Sequence, residues 1–157
     1  MKHVPTYDGE FVFAYGSNLS VVRMNERCPS WKVIARAELP GHELLFAGYS
    51  STWDGAVATF AEAPRRRVRG IVYSVHVRDL YRLDRFEGVH RSVYERKRVL
   101  VRVKGLLLPV HTYQLSGFDR PGVPSSDYVE VIAGAYRTWG FDRRHLTRAV
   151  RAGIEAV

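Results

Sequence analysis

The chain has 157 residues, of which 46% are hydrophobic and 25% charged, a size and composition typical of one globular domain spanning residues 1–157. Its 24 Lys and Arg residues against 16 Asp and Glu residues give a net charge of +8. No segment approaches the ~20 apolar residues of a membrane-spanning helix, and residues 1–10 lack the features of a signal peptide, so we expect no membrane partner.

The first half of the chain predicts several strands and one short helix. Residues 10–15 (EFVFAY) form an apolar run that indicates a buried strand, which ends at Gly16. Ser20 can cap a short helix that stops at Pro29. Further strands are predicted over the four ranges 31–39, 42–50, 56–61 and 68–77, with Pro40 and Gly41 between the first two.

The second half predicts three helices and two strands. Residues 78–86 indicate a helix with Gly88 just past its end, followed by strands over 94–103 and 110–115. Ser125 or Ser126 caps a helix to about residue 139, and Asp142 caps the last one. We expect one apolar stripe on that last helix, formed by Leu146, Ala149, Val150, Gly153 and Ile154.

These elements amount to six or seven strands and three or four helices. Most connections between strands are too short for the crossovers that parallel strands need. The predicted fold class is therefore α+β, with a small, largely antiparallel β-barrel-like sheet and helices packed outside it.

Two segments carry the residue types of a functional site. The turn 16–18 (GSN) lies between a strand and a helix start, where backbone N–H groups can bind an anion, although an ordinary turn has the same composition. Glu87 ends a helix beside apolar Phe86 and Val89, and burial there would raise its pKa toward that of a general base. The alternative is an exposed glutamate that faces Arg85 or Arg91.

Other chemistries find less support in the sequence. The six histidines and Cys28 show no metal-ligand spacing, and no G-x-S-x-G, phosphate-loop or dinucleotide motif occurs. We therefore expect no metal and no cofactor. Because Cys28 is the only cysteine, an internal disulfide is impossible, and this usage favours a cytoplasmic location. Trp53 and Tyr128 are open to two interpretations, as core residues or as pocket residues.

Five segments in this order resemble the γ-glutamyl cyclotransferase family. Each segment alone is a weak signal, but the ordered set is specific, and the resemblance extends over most of the chain, from about residue 11 to 140. The segments are 13–19 (FAYGSNL), 52–59 (TWDGAVAT), 70–73 (GIVY), 83–94 (LDRFEGV followed by Tyr94) and 124–135 (PSSDYVEVIAGA).

The resemblance implies a small mixed barrel, an activity and a set of site residues. It implies cleavage of a γ-glutamyl amide by cyclisation to 5-oxoproline, with Glu87 as the catalytic acid/base. It also implies that Tyr94 and Tyr128 line the pocket and that one loop binds the glutamyl α-carboxylate. The loop residues are Tyr15, Gly16, Ser17, Asn18 and Leu19.

The sequence leaves three questions about partners open. The small-molecule substrate would carry a γ-glutamyl group, but the leaving amine, which could belong to a larger metabolite, is not readable. A non-catalytic basic binding module is the alternative of another class, because the charge of +8 could attract nucleic acid. We expect instead that this charge is spread over a solvated surface. The oligomeric state, a homodimer included, also stays open.

Overall fold

A closed five-stranded barrel forms the centre of the protein, which is described for residues 9–157 by a computed structural model. The N-terminal segment 1–8, where the sequence predicts no signal peptide, lies outside the described residues. The strands are β1 (Glu10–Ala14), β2 (Lys32–Ser50), β3 (Gly55–Val75), β4 (Tyr94–Val103) and β5 (Leu106–Leu115). Their spatial order is β1-β3-β2-β4-β5.

The pairing within the barrel is antiparallel except where it closes. There β1 and β5 run parallel, with Val12 opposite His111. This closing pair leaves the sheet without an open edge. Every strand contributes buried apolar side chains to one core. Representative members are Phe13, Phe46, Phe60, Val101 and Val110. The α+β fold class with a largely antiparallel barrel is thus confirmed.

The number of strands differs from the prediction because β2 and β3 are long and continuous. They have 19 and 21 residues, and each replaces two predicted strands. The pairing of β2 with β3 shifts register between Pro40 and His42, and Gly41 there has a φ of 73°. This irregularity accommodates a proline that cannot donate a ladder hydrogen bond. The predicted break at residues 40–41 is therefore a bulge within one strand.

Helices and short 3₁₀ turns surround the barrel. Ser20 and Ser125 cap α1 and α3 through their hydroxyl oxygens, and Gly88 after α2 has the left-handed φ of 67°, as the sequence predicts. The helices are α1 (Val21–Arg27), α2 (Val77–Phe86), α3 (Ser126–Trp139) and α4 (Arg144–Glu155), and the 3₁₀ turns are Ser17–Leu19 and Val89–Arg91.

Two details of α4 differ from the prediction. The residue flanking the helix is Arg143, although the carboxylate of Asp142 does accept a hydrogen bond from the Arg144 N–H at 2.9 Å. The predicted apolar stripe is wrong at Ile154, which is 57% exposed. The buried face is centred on Gly153, where a Cβ atom would lie 1.9 Å from the Gly122 carbonyl oxygen, so the helix approaches the loop backbone too closely to turn Ile154 inward.

Candidate active site

A cavity of about 430 Å³ opens beside the loop that follows β1. Its walls come from that loop, from α1, from the turn between β2 and β3, from the end of α2 and from α3. Seven of the eight residues that the sequence predicts for the site line this cavity. They are Tyr15, Gly16, Ser17, Asn18, Glu87, Tyr94 and Tyr128. Leu19 is the exception.

The loop after β1 turns sharply because it forms a 3₁₀ turn. Within it the Leu19 N–H donates to the Gly16 carbonyl oxygen at 3.0 Å, and the Ser20 N–H donates to the Ser17 carbonyl oxygen at 3.1 Å. The Leu19 side chain is fully buried, and its carbonyl oxygen accepts a hydrogen bond from Trp139 Nε1 at 2.8 Å. Leu19 therefore supports the loop from behind, whereas Gly16, Ser17 and Asn18 face the cavity.

Gly16 is required by the close approach of neighbouring elements. A Cβ atom at this position would lie 3.0 Å from the Ala58 Cβ and 3.7 Å from the Tyr128 hydroxyl oxygen. The first distance is shorter than ordinary van der Waals contact, so a larger side chain would push the loop away from β3 and α3. A glycine here keeps the turn close to the cavity wall.

Glu87 occupies the C-terminal end of α2, where its N–H donates to the Leu83 carbonyl oxygen at 2.9 Å. Its side chain is only 15% exposed and accepts a hydrogen bond from Asn18 Nδ2 at 2.9 Å. Burial raises the pKa of Glu87, and the charge of Arg27 and the Asn18 hydrogen bond only partly oppose this. A carboxylate with a raised pKa can accept and return a proton near neutral pH.

The cationic partner of Glu87 was not anticipated from the sequence. Neither Arg85 nor Arg91 forms this contact; Arg27 Nη1 lies 3.8 Å from Glu87 Oε1 and donates to Asn18 Oδ1 at 3.0 Å. Arg27 and Asn18 thus hold the carboxylate from one side. The signal that could have identified Arg27 is its position one helical turn after Arg23, on the helix that directly follows the loop.

Five tyrosines line the cavity, and the hydroxyls of the three that the sequence predicts for the site differ in their hydrogen bonds. The Tyr15 hydroxyl donates to the Tyr113 carbonyl oxygen, and the Tyr94 hydroxyl donates to the Ala58 carbonyl oxygen at 2.7 Å. The Tyr128 hydroxyl instead accepts from the Ala58 N–H at 2.9 Å. Burial raises the pKa of all three, so each keeps its proton near neutral pH. Tyr128 therefore retains an O–H that can donate to a bound molecule.

The far wall of the cavity is aromatic and basic. Trp53, in the turn between β2 and β3, packs against the Tyr128 ring with centroids 4.8 Å apart. The guanidinium of Arg23 lies 4.7 Å from the centre of the Trp53 ring. The sequence left Trp53 and Tyr128 open as core or pocket residues, and both line the cavity.

This arrangement can perform acid/base chemistry on a small anionic molecule. One carboxylate of raised pKa shares the cavity with the loop residues Gly16, Ser17 and Asn18, with the Tyr128 hydroxyl and with arginine side chains. Among residues 9–157 no three His, Cys, Asp or Glu side chains gather as ligands for a metal ion. In the same range no helix is both long and apolar enough to cross a membrane.

The fold and the cavity define a small barrel protein with a largely buried carboxylate of raised pKa, and comparison with known proteins gives the family. Residues 12–130 match the family described as gamma-glutamyl cyclotransferase, AIG2-like. The chain belongs to this family, as the five sequence segments indicate.

Relatives of known sequence and structure agree with this assignment. The chain is 35% identical to gamma-glutamylcyclotransferase from Bos taurus over 132 residues, which cover 80% of this chain and 70% of the relative. It is 31% identical to the Homo sapiens protein of the same name over 137 residues, covering 82% and 70% of the two chains. A solved gamma-glutamyl cyclotransferase superposes with a TM-score of 0.83 at 27% identity, covering 90% and 86%.

Proposed function

We propose that this protein is a γ-glutamyl cyclotransferase that converts a γ-glutamyl amino acid or amine into 5-oxoproline and the free amine. Family membership supports the reaction class. The observation that carries the assignment to this cavity is Glu87, a carboxylate that is 15% exposed and hydrogen-bonded to Asn18 of the family-matched loop. That residue combines the raised pKa and the position that an intramolecular acyl transfer needs.

The reaction begins when the substrate's own α-amine attacks its own γ-carbonyl carbon. The amine is normally protonated, so Glu87 as the ionised base removes a proton and frees the lone pair. A carbon–nitrogen bond forms, closes a five-membered ring and leaves a tetrahedral carbon that carries a negatively charged oxygen. No enzyme nucleophile takes part, because the substrate supplies its own.

The ring intermediate then breaks the original amide bond. Glu87, now protonated, gives its proton to the leaving nitrogen, the carbon–nitrogen bond to that nitrogen breaks and the carbonyl reforms. The ring nitrogen, which carries an extra proton after the attack, passes it to the departing amine, which leaves as the ammonium ion. The products are 5-oxoproline and an amine, and Glu87 returns to its ionised form. Its raised pKa suits both halves of this cycle, because a weaker acid is a stronger base and the same group must serve as both.

Orientation of the flexible glutamyl chain is the second task of the site. We infer that the loop residues Gly16, Ser17 and Asn18 hold the α-carboxylate through backbone N–H groups, with Tyr15 and Leu19 fixing the loop. A fixed carboxylate limits the chain to conformers in which amine and carbonyl meet. Such orientation contributes roughly 7–11 kcal/mol at the upper end of its range.

Tyr128 and Tyr94 have separate roles in this proposal. The Tyr128 hydroxyl accepts from the Ala58 N–H and keeps its own proton for the oxygen that becomes negatively charged. The Tyr94 hydroxyl gives its proton to the Ala58 carbonyl oxygen and lines the pocket as a wall. Both hydroxyls therefore bind the same residue of β3, and in this proposal only Tyr128 stabilises the intermediate.

The test is a panel of γ-glutamyl compounds with product detection by mass spectrometry. Wild type should release 5-oxoproline and free amine in equal amounts from at least one γ-glutamyl amino acid or amine. A matched compound whose α-amine is acetylated should not react, because the attacking lone pair is blocked. Release of free glutamate would indicate hydrolysis instead, and no reaction with any compound would favour the basic binding module.

We also propose a cytoplasmic location, supported by the single buried and unpaired Cys28. The partner implied by the family is a small γ-glutamyl substrate. A fluorescent fusion at either terminus that reports the compartment in cells would test the location.

A further inference from the structure

The cavity contains a positive charge that the proposed chemistry does not use. Arg23 lies on α1 one turn before Arg27, and residues four apart on a helix share a face. Arg27 is engaged by Asn18 and Glu87. Arg23 points to the other wall, where its guanidinium lies 4.7 Å from the Trp53 ring centre.

The polar atoms of Arg23 are incompletely satisfied. Its Nε is buried and has no hydrogen-bond partner within residues 9–157. In that range no carboxylate lies within ion-pair distance of the Arg23 guanidinium. The one acid that lines this cavity, Glu87, forms its ion pair with Arg27. A buried cationic donor without an acceptor is costly, and a planar guanidinium matches a carboxylate through two parallel hydrogen bonds.

The charges of the cavity indicate the kind of ligand. Its lining includes three cations, Arg23, Arg27 and Arg91, against the single anion Glu87. Of the cations, Arg27 faces the anion and Arg91 is exposed, which leaves Arg23 as the inner unpaired charge. A γ-glutamyl amino acid has two carboxylates, and a γ-glutamyl amine without a carboxylate has one. If the loop holds the glutamyl carboxylate, the second carboxylate has Arg23 as its counterpart.

We propose that Arg23 is the specificity-determining residue for the leaving group, binding the α-carboxylate of a departing amino acid while Trp53 holds its guanidinium in plane. This inference rests on the proposed function of the same cavity. Arg23 would separate γ-glutamyl amino acids from γ-glutamyl amines, two substrate classes that undergo the same cyclisation. The enzyme should discriminate in favour of γ-glutamyl amino acids over otherwise identical γ-glutamyl amines.

The test compares γ-glutamyl-alanine with γ-glutamyl-ethylamide, which differ only by the leaving-group carboxylate. Wild type should have the higher kcat/KM for the alanine compound. Arg23→Met should lower kcat/KM for γ-glutamyl-alanine by about 10- to 100-fold, the range for loss of a hydrogen bond between charged groups. It should leave γ-glutamyl-ethylamide within about twofold, because that substrate has no group for Arg23 to bind.

Two further variants make the test specific to position and geometry. Arg91→Met removes the same charge at the exposed rim and should leave the ratio of the two kcat/KM values unchanged within about twofold. Arg23→Lys keeps the charge but loses the planar fork, and it should give an intermediate ratio. Arg23→Lys also replaces Arg23→Met in the test if the melting temperature shows that Arg23→Met folds poorly.

The outcomes separate this inference from the proposed function. If Arg23→Met slows both substrates equally, Arg23 has only a structural role and the inference is overturned. A ratio that changes in Arg91→Met but not in the Arg23 variants overturns it too. If wild type turns over neither compound and releases no 5-oxoproline from the wider panel, the proposed function itself is contradicted.

Discussion

Two cavities of similar volume lie on this molecule, and both are lined by arginine. The first, of about 430 Å³, contains Glu87 between the loop and α2. The second, of about 470 Å³, lies where the turn between α3 and α4 covers the outer surface of the barrel. It contains more charged residues than the first, with the four cations Arg36, Arg69, Arg102 and Lys104 and the two acids Glu38 and Asp142.

The two cavities differ in the burial, the ion pairs and the pKa of their acidic side chains. In the second, Glu38 lies 3.4 Å from Arg67, and Asp142 lies 2.7 Å from Arg144, with 33% and 38% of the acidic side chains exposed. The bonds from Arg144 lower the pKa of Asp142, so this acid is a poor base near neutral pH. In the first cavity burial raises the pKa of Glu87. Burial of an acid therefore distinguishes the proposed active cavity from the second one better than volume or positive charge does.

The largest effect expected from this comparison is that of Glu87→Gln. The amide keeps the shape of the side chain but cannot exchange a proton, so kcat on the best substrate should fall by about 10²- to 10⁴-fold. The measurement is 5-oxoproline release under saturating substrate, with circular dichroism and a melting curve to show that the fold is retained.

The matched control for Glu87→Gln is Asp142→Asn in the second cavity. It makes the same change from acid to amide and should leave kcat unchanged, because Asp142 is bound to Arg144 outside the reactive cavity. Wild-type turnover by Glu87→Gln would contradict the proposed mechanism, and a comparable loss in Asp142→Asn would contradict the contrast between the two cavities.

A smaller effect is expected from Tyr128→Phe, and Tyr94 provides its control. Both hydroxyls bind backbone atoms of Ala58, so either substitution leaves one polar group of β3 without its partner, at a cost of roughly 1–3 kcal/mol in stability. Only Tyr128→Phe also removes a free O–H from the cavity. It should lower kcat by about 10²-fold, the usual cost of losing one donor to a developing oxyanion.

The measurement combines kcat with urea unfolding of both variants. Similar unfolding midpoints with a kcat loss confined to Tyr128→Phe would support the separate roles. Equal kcat losses in Tyr94→Phe and Tyr128→Phe would mean that Tyr128 acts only by positioning the strand.

Arg27→Met tests the electrostatics of Glu87 through pH. The charge of Arg27 lowers the pKa of Glu87 and so opposes the effect of burial. Removing that charge should raise the pKa further. Because the base acts in its ionised form, whose fraction grows as pH rises through the pKa, the acidic limb of the kcat/KM profile should move to higher pH.

The control for Arg27→Met is Arg148→Met on the exposed face of α4, which changes the net charge equally. Its acidic limb should coincide with that of wild type. A shift of the Arg27→Met limb to lower pH would mean that Glu87 is not the group that titrates in this limb.

Patterns along the sequence predict much of this fold, and they fail where tertiary contacts decide. Apolar runs and cap residues locate β1, α2 and α3 to within about two residues. They wrongly divide β2 at Pro40, because the bulge that accommodates this residue depends on pairing with β3. The sequence does not predict residues 106–109 of β5 as strand, because three consecutive leucines followed by Pro109 show no apolar–polar alternation. Leu106 and Leu107 are in fact exposed, at 74% and 55%.

The residues that line the candidate site could be predicted only in part, and their roles stay predictions. Motif spacing identifies the loop and Glu87, but spacing says nothing about which charges converge in space. The partnership of Arg27 with Glu87 joins residues 60 positions apart and depends on α1 lying beside the end of α2. Likewise, the different hydrogen bonds of Tyr94 and Tyr128 follow from their positions on either side of Ala58, which no local pattern encodes.

The smallest effect is expected from the double variant Arg102→Gln/Lys104→Gln in the second cavity. These side chains are exposed, and exposed substitutions away from special contacts usually change stability by no more than ~0.5 kcal/mol, so kcat/KM should stay within about twofold of wild type. We also expect no functional binding of nucleic acid, because the attraction that a net charge of +8 provides weakens steeply with salt. Fluorescence anisotropy with a labelled RNA should therefore show no tight binding at physiological salt. If wild type and Glu87→Gln bound RNA tightly there and the double variant did not, the second cavity would be a functional site.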